Sequence, residues 1–376
     1  VIVPPATLGI LGGGQLGRYF VLAARTMGYR TIVLEPDPGS PAGAVSDVHL
    51  VAAYDDVDAL DRMARECAVV TTEFENPPAA ALTRLAAGTT VHPSPHAIAV
   101  TQDRRREKRF LAAAGIPVAP FEVIEDDEDV RRATGGVFPA ILKTARMGYD
   151  GKGQIVVRAP DELAGAWAAL GRVPAVLEER LALRGELSVI LARNLLAPGE
   201  SLVAYPLCAN IHRNGILDVT VVPGPYAIEA YTIAERIADA LDYVGVLAVE
   251  LFLTDDGIVV NEVAPRPHNS GHWTLDHSAT SQFEQQVRAI CGLALGDTSL
   301  TVEAAAMANL LGEEWADGEP RWEHALDHPA VKLHLYGKAE PRPGRKMGHI
   351  TVAGATPATA EALARRQRTA LRAPSP

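Results

Sequence analysis

The opening of the chain restricts its fold more than any other stretch. A short apolar strand, Thr7 to Leu11, runs into Gly12-Gly13-Gly14-Gln15-Leu16-Gly17, and a helical pattern follows from about Arg18 to Met27. A second apolar strand, Tyr29 to Leu34, ends at Glu35, and Val69 to Thr72 reads as a further parallel strand. Strand, glycine turn, helix and strand is the logic of an open α/β sheet with helices on its faces. Gly12-x-Gly14-x-x-Gly17 also matches the dinucleotide fingerprint, with Glu35 where a ribose-binding acid would sit. The physics is more general, because glycines admit a ligand close to the backbone and a helix N-terminus favours an anion. Taken alone, the loop fits a dinucleotide, another ligand, or a tight structural turn.

Downstream, Pro93 and Pro95 suggest a boundary near residue 100, and Arg104 to Ala114 reads as a charged amphipathic helix. From Phe138 to Leu191 short strands alternate with one helix, Asp161 to Leu170, which Asp161 would cap after Pro160. Gly257 marks a turn between the strands Gly245–Leu253 and Ile258–Val263. Pro- and Gly-rich sequence near 317–320 and 341–344 marks a small terminal subdomain, and Ala373 to Pro376 has the composition of a tail. The expected division is 1–100, 101–190, 191–300 and 301–376, in a chain of 376 residues long enough for several cores. A net charge of -11 argues against a nucleic-acid partner and leaves room for a local basic pocket. The scattered Cys67, Cys208 and Cys291 show no metal spacing and read as reduced core thiols of a cytoplasmic protein. With no run of about 18 apolar residues, no membrane partner is expected.

Two runs carry the chemistry. Lys143-Thr144-Ala145-Arg146-Met147-Gly148-Tyr149-Asp150-Gly151-Lys152-Gly153-Gln154 sets a strand-end lysine before a glycine loop that can fold over phosphates, without Walker spacing. Asn261-Glu262-Val263-Ala264-Pro265-Arg266-Pro267-His268-Asn269-Ser270-Gly271-His272-Trp273 follows an apolar hairpin. A symmetric loop centred on Asp256 would set Glu250 directly opposite Glu262, and like charges there destabilise unless a cation lies between them. Carboxylates combined with phosphate oxygens suit Mg²⁺. Arg266 can grip an oxyanion, and His268 can orient a group or shuttle a proton. Glu73-Phe74-Glu75-Asn76 sits at the C-terminal end of a strand, where open α/β sheets bind ligands.

From about Thr7 to about Thr351 the chain resembles the N5-carboxyaminoimidazole ribonucleotide synthetases, ATP-grasp enzymes of purine biosynthesis. The resemblance implies an ATP-grasp fold, α/β and in parts α+β, with a Rossmann-like N-terminal domain and a small C-terminal extension. It implies ATP-dependent carboxylation of 5-aminoimidazole ribonucleotide with bicarbonate, through carboxyphosphate, by a homodimer using Mg²⁺ at Glu250 and Glu262. ATP would meet Arg104, Lys143, the loop Gly148, Tyr149, Asp150, Gly151, Lys152, Gly153 and Gln154, and the adenine hinge Glu178, Glu179, Arg180 and Leu181. Glu186, His212, Asn261 and Glu262 would complete the ATP site. The ribonucleotide would meet Gly14, Gln15, Leu16, Glu73, Asn76, Tyr149 and Asp150, with Lys338 and Arg345 on its 5′-phosphate. Arg266, His268, Asn269, Asp150 and Lys152 would carry the chemistry. Asp103-Arg104-Arg105-Arg106-Glu107-Lys108 matches the family's Asp-Arg-x-x-x-Lys, although Lys108 could equally be a surface residue. Met147 replaces a glycine of the family's Gly-Gly-Tyr-Asp-Gly loop. The rival readings are a sister ligase such as formate-dependent glycinamide ribonucleotide transformylase, a catalytically silent nucleotide-binding regulator, and a dehydrogenase.

Overall fold

The computed structural model describes residues 1–133, 137–148, 151–195, 201–225 and 227–372. Ala373 to Pro376, expected as a tail, lie outside the described residues. Among the described residues the chain builds three sheets. In the first, β1 (Thr7–Leu11), β2 (Arg30–Leu34), β3 (Val48–Leu50), β4 (Val69–Thr72) and β5 (Thr90–Val91) run parallel in the order β3-β2-β1-β4-β5. The order reverses between β1 and β4, so the loops after these two strands flank a topological switch point. The helix after β1 spans Gln15–Thr26 and starts three residues earlier than expected, with Gly14 as its extended N-cap.

The second sheet holds β6 (Phe121–Ile124), β7 (Ala140–Thr144), β8 (Gln154–Val157) and β9 (Ala175–Glu179), antiparallel in the order β6-β9-β7-β8. Its helix is Leu163–Ala169 rather than one capped by Asp161. Pro160–Glu162 forms a 3-10 turn first, and the Glu162 carboxylate accepts Arg158 N–H at 2.8 Å.

The third sheet is antiparallel and nine-stranded. It comprises β10 (Gly185–Arg193), β11 (Leu202–Ala204), β12 (Cys208–Arg213), β13 (Ile216–Val222), β14 (Gly245–Thr254), β15 (Gly257–Ala264), β16 (Ala304–Leu311), β17 (Val331–Leu335) and β18 (Lys346–Gly354). Its order is β15-β14-β10-β12-β13-β16-β18-β17, with β11 on β10. The expected boundary at 190/191 therefore falls inside β10, and the sheet runs unbroken past the one at 300/301. Cys67, Cys208 and Cys291 are free and buried. Among the described residues no helix is long and apolar enough to cross a membrane.

The β14–β15 hairpin explains itself. Thr254 pairs with Gly257 across a two-residue turn, Asp255-Asp256, so Gly257 is the first strand residue rather than a turn residue. That register alone would set Glu250 against Asn261. A bulge takes up Asn261, stepping the pairing from Leu251↔Val260 to Glu250↔Glu262. The expected carboxylate pair exists because of the bulge, a device that re-aims side chains beside sites.

Candidate active site

The three sheets converge on a cleft of about 910 Å³. Among its described lining residues are nine Lys or Arg against five Glu, a basic lining in an acidic chain and thus suited to anionic substrates.

On the first-sheet side, Gln15, Leu16 and Asn76 line the cleft. Gly14 and Glu73, expected to touch substrate, are turned onto each other. Glu73 accepts the N–H groups of Gly14 and, at 2.6 Å, of Gly17, while Glu35 accepts Gly13 N–H at 2.8 Å. A Cβ on Gly12 would lie 2.3 Å from Glu73 Cγ, and its φ of +106° also favours glycine. The fingerprint loop thus spends its N–H groups on the chain's own carboxylates, which argues against a dinucleotide pyrophosphate there.

The phosphate lysine is set from below. Lys143, at the C-terminal end of β7, donates to Glu178 Oε2 at 3.0 Å and to Asn261 Oδ1 at 3.3 Å. Lys108, expected to be as easily a surface residue, is fully buried. Its Nζ reaches Glu178 Oε2 at 3.3 Å and the carbonyls of Val260 and Asn261 at 3.3 and 2.9 Å. One carboxylate thus serves two ammonium groups, and the bulge carbonyls are satisfied by the same cation. Burial opposes ionisation of Glu178, but Lys108 and Lys143 hold its pKa down to about 2. Burial lowers the Lys143 pKa against the pull of Glu178. Glu178 Oε1 is buried with no partner among the described residues. Glu179 and Arg180 donate their N–H groups to Pro120 O and Pro139 O, at 2.9 and 2.8 Å. Leu181 follows in the loop before β10, and none of residues 178–181 lines the cleft. Gly148, Gly151, Lys152 and Gln154 do line it; Gly153 stands behind, and Tyr149 and Asp150 lie outside the described residues. Met147 holds φ +62°, the left-handed backbone its family's glycine would adopt freely.

The hairpin wall carries the carboxylates. Glu262 pairs with Arg104 at 2.7 Å, and Glu250 with His268 Nε2 at 3.1 Å and Asn261 Nδ2 at 3.2 Å. Burial would raise the Glu250 pKa, yet His268, His212 and Asn261 bring it to about 2. Two ionisable oxygen donors opposed on one cleft wall are a donor set that Mg²⁺ shares with phosphate. Arg266 is gripped by Glu75 from the loop after β4, and its Nε is buried without a partner among the described residues. Asn269 exchanges two amide hydrogen bonds with Asn309, at 3.0 and 2.7 Å. At the rim, Glu186 lies 2.9 Å from His212, whose pKa rises because this carboxylate outweighs burial. Lys338 and Arg345 line the far end, Lys338 donating to Lys346 O at 2.7 Å.

Several lining residues have no role assigned from the sequence: Glu75, Gln102, Glu107, Arg146 and Lys346. Glu75 stood one residue from Asn76 in a run already singled out, and Glu107 and Lys108 in another. Their helix, Arg104–Ala113, buries Glu107 and Lys108 while Arg106 and Arg109 stay exposed.

Comparison with known proteins agrees with this geometry. The chain matches the ATP-grasp domain over residues 109–283 and the ribonucleotide synthetase preATP-grasp domain over 5–102. It matches the phosphoribosylaminoimidazole carboxylase C-terminal domain over 305–363. It is 44% identical over 356 residues to the N5-carboxyaminoimidazole ribonucleotide synthase of Brucella melitensis, covering 93% of this chain and 96% of that one. It is 42% identical over 357 residues to the Bacillus subtilis protein of the same name, covering 93% and 92%. Among solved structures, the Staphylococcus aureus N5-carboxyaminoimidazole synthetase complexed with ADP superposes with a TM-score of 0.91 at 34% identity, covering 98% of each chain. An Aspergillus clavatus N5-carboxyaminoimidazole synthase in complex with ADP and 5-aminoimidazole ribonucleotide gives 0.85 at 29% identity, covering 97% and 98%.

Proposed function

Because the chain belongs to the N5-carboxyaminoimidazole ribonucleotide synthase family of ATP-grasp ligases, we propose a division of its cleft into three stations. It is an ATP-dependent carbon–nitrogen ligase of purine biosynthesis that carboxylates 5-aminoimidazole ribonucleotide to the N5-carbamate. The proposed carbon source is bicarbonate, activated by ATP as carboxyphosphate. The observation that carries the reading is the bulged hairpin, which brings Glu250, Asn261 and Glu262 to one wall beside Lys143.

At the first station ATP lies between the second and third sheets. Lys143 and Lys152 meet its phosphates, Gly148 to Gln154 cover them, and Glu186 and His212 hold the ribose. Positioning and charge compensation do most of the work in such transfers. Glu250 and Glu262 would hold Mg²⁺, which offsets charge on the transferred phosphoryl group. At the second station Arg266, whose buried Nε lacks an acceptor among the described residues, holds bicarbonate, and Asn269, its amide plane set by Asn309, offers its remaining N–H. At the third, Gln15, Leu16 and Asn76 flank the aminoimidazole, while Lys338 and Arg345 take the 5′-phosphate. The proposal includes a homodimeric, cytoplasmic enzyme with units near 1–100, 101–190, 191–300 and 301–376, β10 spanning the second of these seams and the third sheet joining the last two units.

Glu262→Gln should lower turnover at least about a hundredfold, the scale for losing one electrostatic contact at a transition state. Its fold should survive, because Glu262 is part-exposed in the cleft. The check is ADP release and carboxylation at saturating substrates; near-normal rates in a soluble variant would rule out this wall as the phosphoryl-transfer site.

A further inference from the structure

Behind His268 runs a line of buried polar groups that the three stations do not use. Thr220 Oγ1 donates to Asn210 Oδ1 at 2.9 Å, and Asn210 Nδ2 donates to Ser188 Oγ at 3.0 Å. The Ser188 and Ser270 hydroxyls are 2.7 Å apart, and Ser270 Oγ lies 2.8 Å from His268 Nδ1. β13, β12, β10 and the loop after β15 each supply one or two members, all buried. On its other side His268 Nε2 faces Glu250.

The two ends set the direction of every proton between them. Glu250 is a carboxylate that also takes Asn261 Nδ2–H, so it accepts from Nε2 as well. Ser270 backbone N–H points at His268 Nδ1, at 3.3 Å, so Nδ1 is an acceptor. A hydroxyl carries one proton. Ser270 O–H must then donate to Nδ1, Ser188 O–H to Ser270, the Asn210 amide to Ser188, and Thr220 O–H to Asn210.

We propose that this one-way chain holds His268 in the tautomer protonated on Nε2, with Asn210, Ser188 and Ser270 as positioning residues for it. The inference rests on His268 belonging to the carboxylation machinery and specifies how it acts there. Nδ1, filled by two donors, is closed to substrate. His268 is a fixed Nε2–H donor on the cleft wall and does not relay protons through the ring.

The test uses the full-length enzyme labelled with ¹⁵N-histidine, His268 being assigned by the signals lost in His268→Gln. The expected wild-type spectrum has a protonated, pyrrole-type Nε2 and an unprotonated, pyridine-type Nδ1. A protonated Nδ1 in the neutral ring would overturn the proposal, with no variant needed. Asn210→Asp then puts an acceptor-only group two hydroxyls away from the ring. In alkaline buffer, where that carboxyl is ionised, it should draw in both neighbouring O–H groups, reverse the chain and move the proton to Nδ1. Adding Ser270→Ala removes the relay and should restore the Nε2–H form. An unchanged His268 spectrum in soluble Asn210→Asp would show that the chain transmits no direction. The same variant should release ADP in roughly tenfold excess over carbamate trapped by a downstream mutase, the scale for one hydrogen bond to a charged group. Normal coupling in His268→Ala would sink the role of His268 in the reaction, and the positioning role with it, whatever the spectra show.

Discussion

Glu107, which lines the cleft, has an ionisation that departs from its type. Burial pushes its pKa up to about 8 even though Lys108 and Arg104 pull it down, and Glu262 adds to the rise. One oxygen accepts Val263 N–H at 2.7 Å, which ties the Arg104–Ala113 helix to the hairpin. The folded state therefore favours the neutral carboxyl. Its stabilisation is complete below the ordinary glutamate range and is lost as pH rises through about 8. Across that window the slope approaches about 1.4 kcal/mol per pH unit. Glu107→Gln, neutral throughout, should flatten the fall in stability, as urea unfolding at a series of pH values would show. Parallel wild-type and variant curves would mean that Glu107 is ionised in the fold. Its burial, like that of Lys108, was not legible in the sequence. A run of charges on a helix gives a face but not what the face meets, and here it meets the backbone of a distant hairpin.

At the scale of elements, β1 and β4 match the expected limits, because short apolar runs between turn signals leave little choice. The Gln15–Thr26 helix was misjudged at its start because Gly17 reads as a breaker, yet its missing Cβ is what allows the approach to Gly12 O, 2.9 Å from where that Cβ would lie. The carboxylate pair was legible only because the reading assumed a symmetric loop, whereas a shorter turn and a bulge share the count between them. The glycine loop carries its own test. Met147 is 70% exposed, so its side chain gains little from packing, and its left-handed backbone costs about 1–2 kcal/mol. Met147→Gly removes that strain but adds roughly 0.5–1 kcal/mol of unfolded-state entropy, so its melting temperature should stay within a few degrees of wild type. Met147→Val, β-branched and ill-suited to positive φ, should displace the loop and raise the KM for ATP. Calorimetry with ATP kinetics decides, and an unchanged KM in Met147→Val would show that the backbone there does not shape the nucleotide site.

At the scale of the whole molecule, the fold class and the family were legible from two motif runs, and the sheet that unites the last two units was not. β13 and β16 pair through Val219↔Ala308 to Val222↔Ala305, and nothing local in either segment announces a partner so distant in sequence. The expected seam near residue 300 is bridged by the pairing of β13 with β16. The strand that closes the gap is small-featured, Ala304-Ala305-Ala306-Met307-Ala308-Asn309-Leu310-Leu311, and nearly all of it is buried. Its alanines admit the Pro357–Ala370 helix, whose Ala360 and Ala364 are fully buried in the same core.

That continuity gives the end of the chain a second duty, as a seal against self-association. A protein stopped before Ala304 would bare one whole edge of β13, whose Val219-Thr220-Val221-Val222 is β-branched, uncharged and ordinarily buried. Such an edge is a template for a neighbour's strand. The truncated chain is expected to sediment as aggregate while the full chain stays in solution, and a monodisperse truncated protein on size exclusion would refute this. A protease that cut between Gly292 and Thr301 would do more than detach Lys338 and Arg345 from the cleft: if the C-terminal piece came away, each clipped molecule would become a seed for the next.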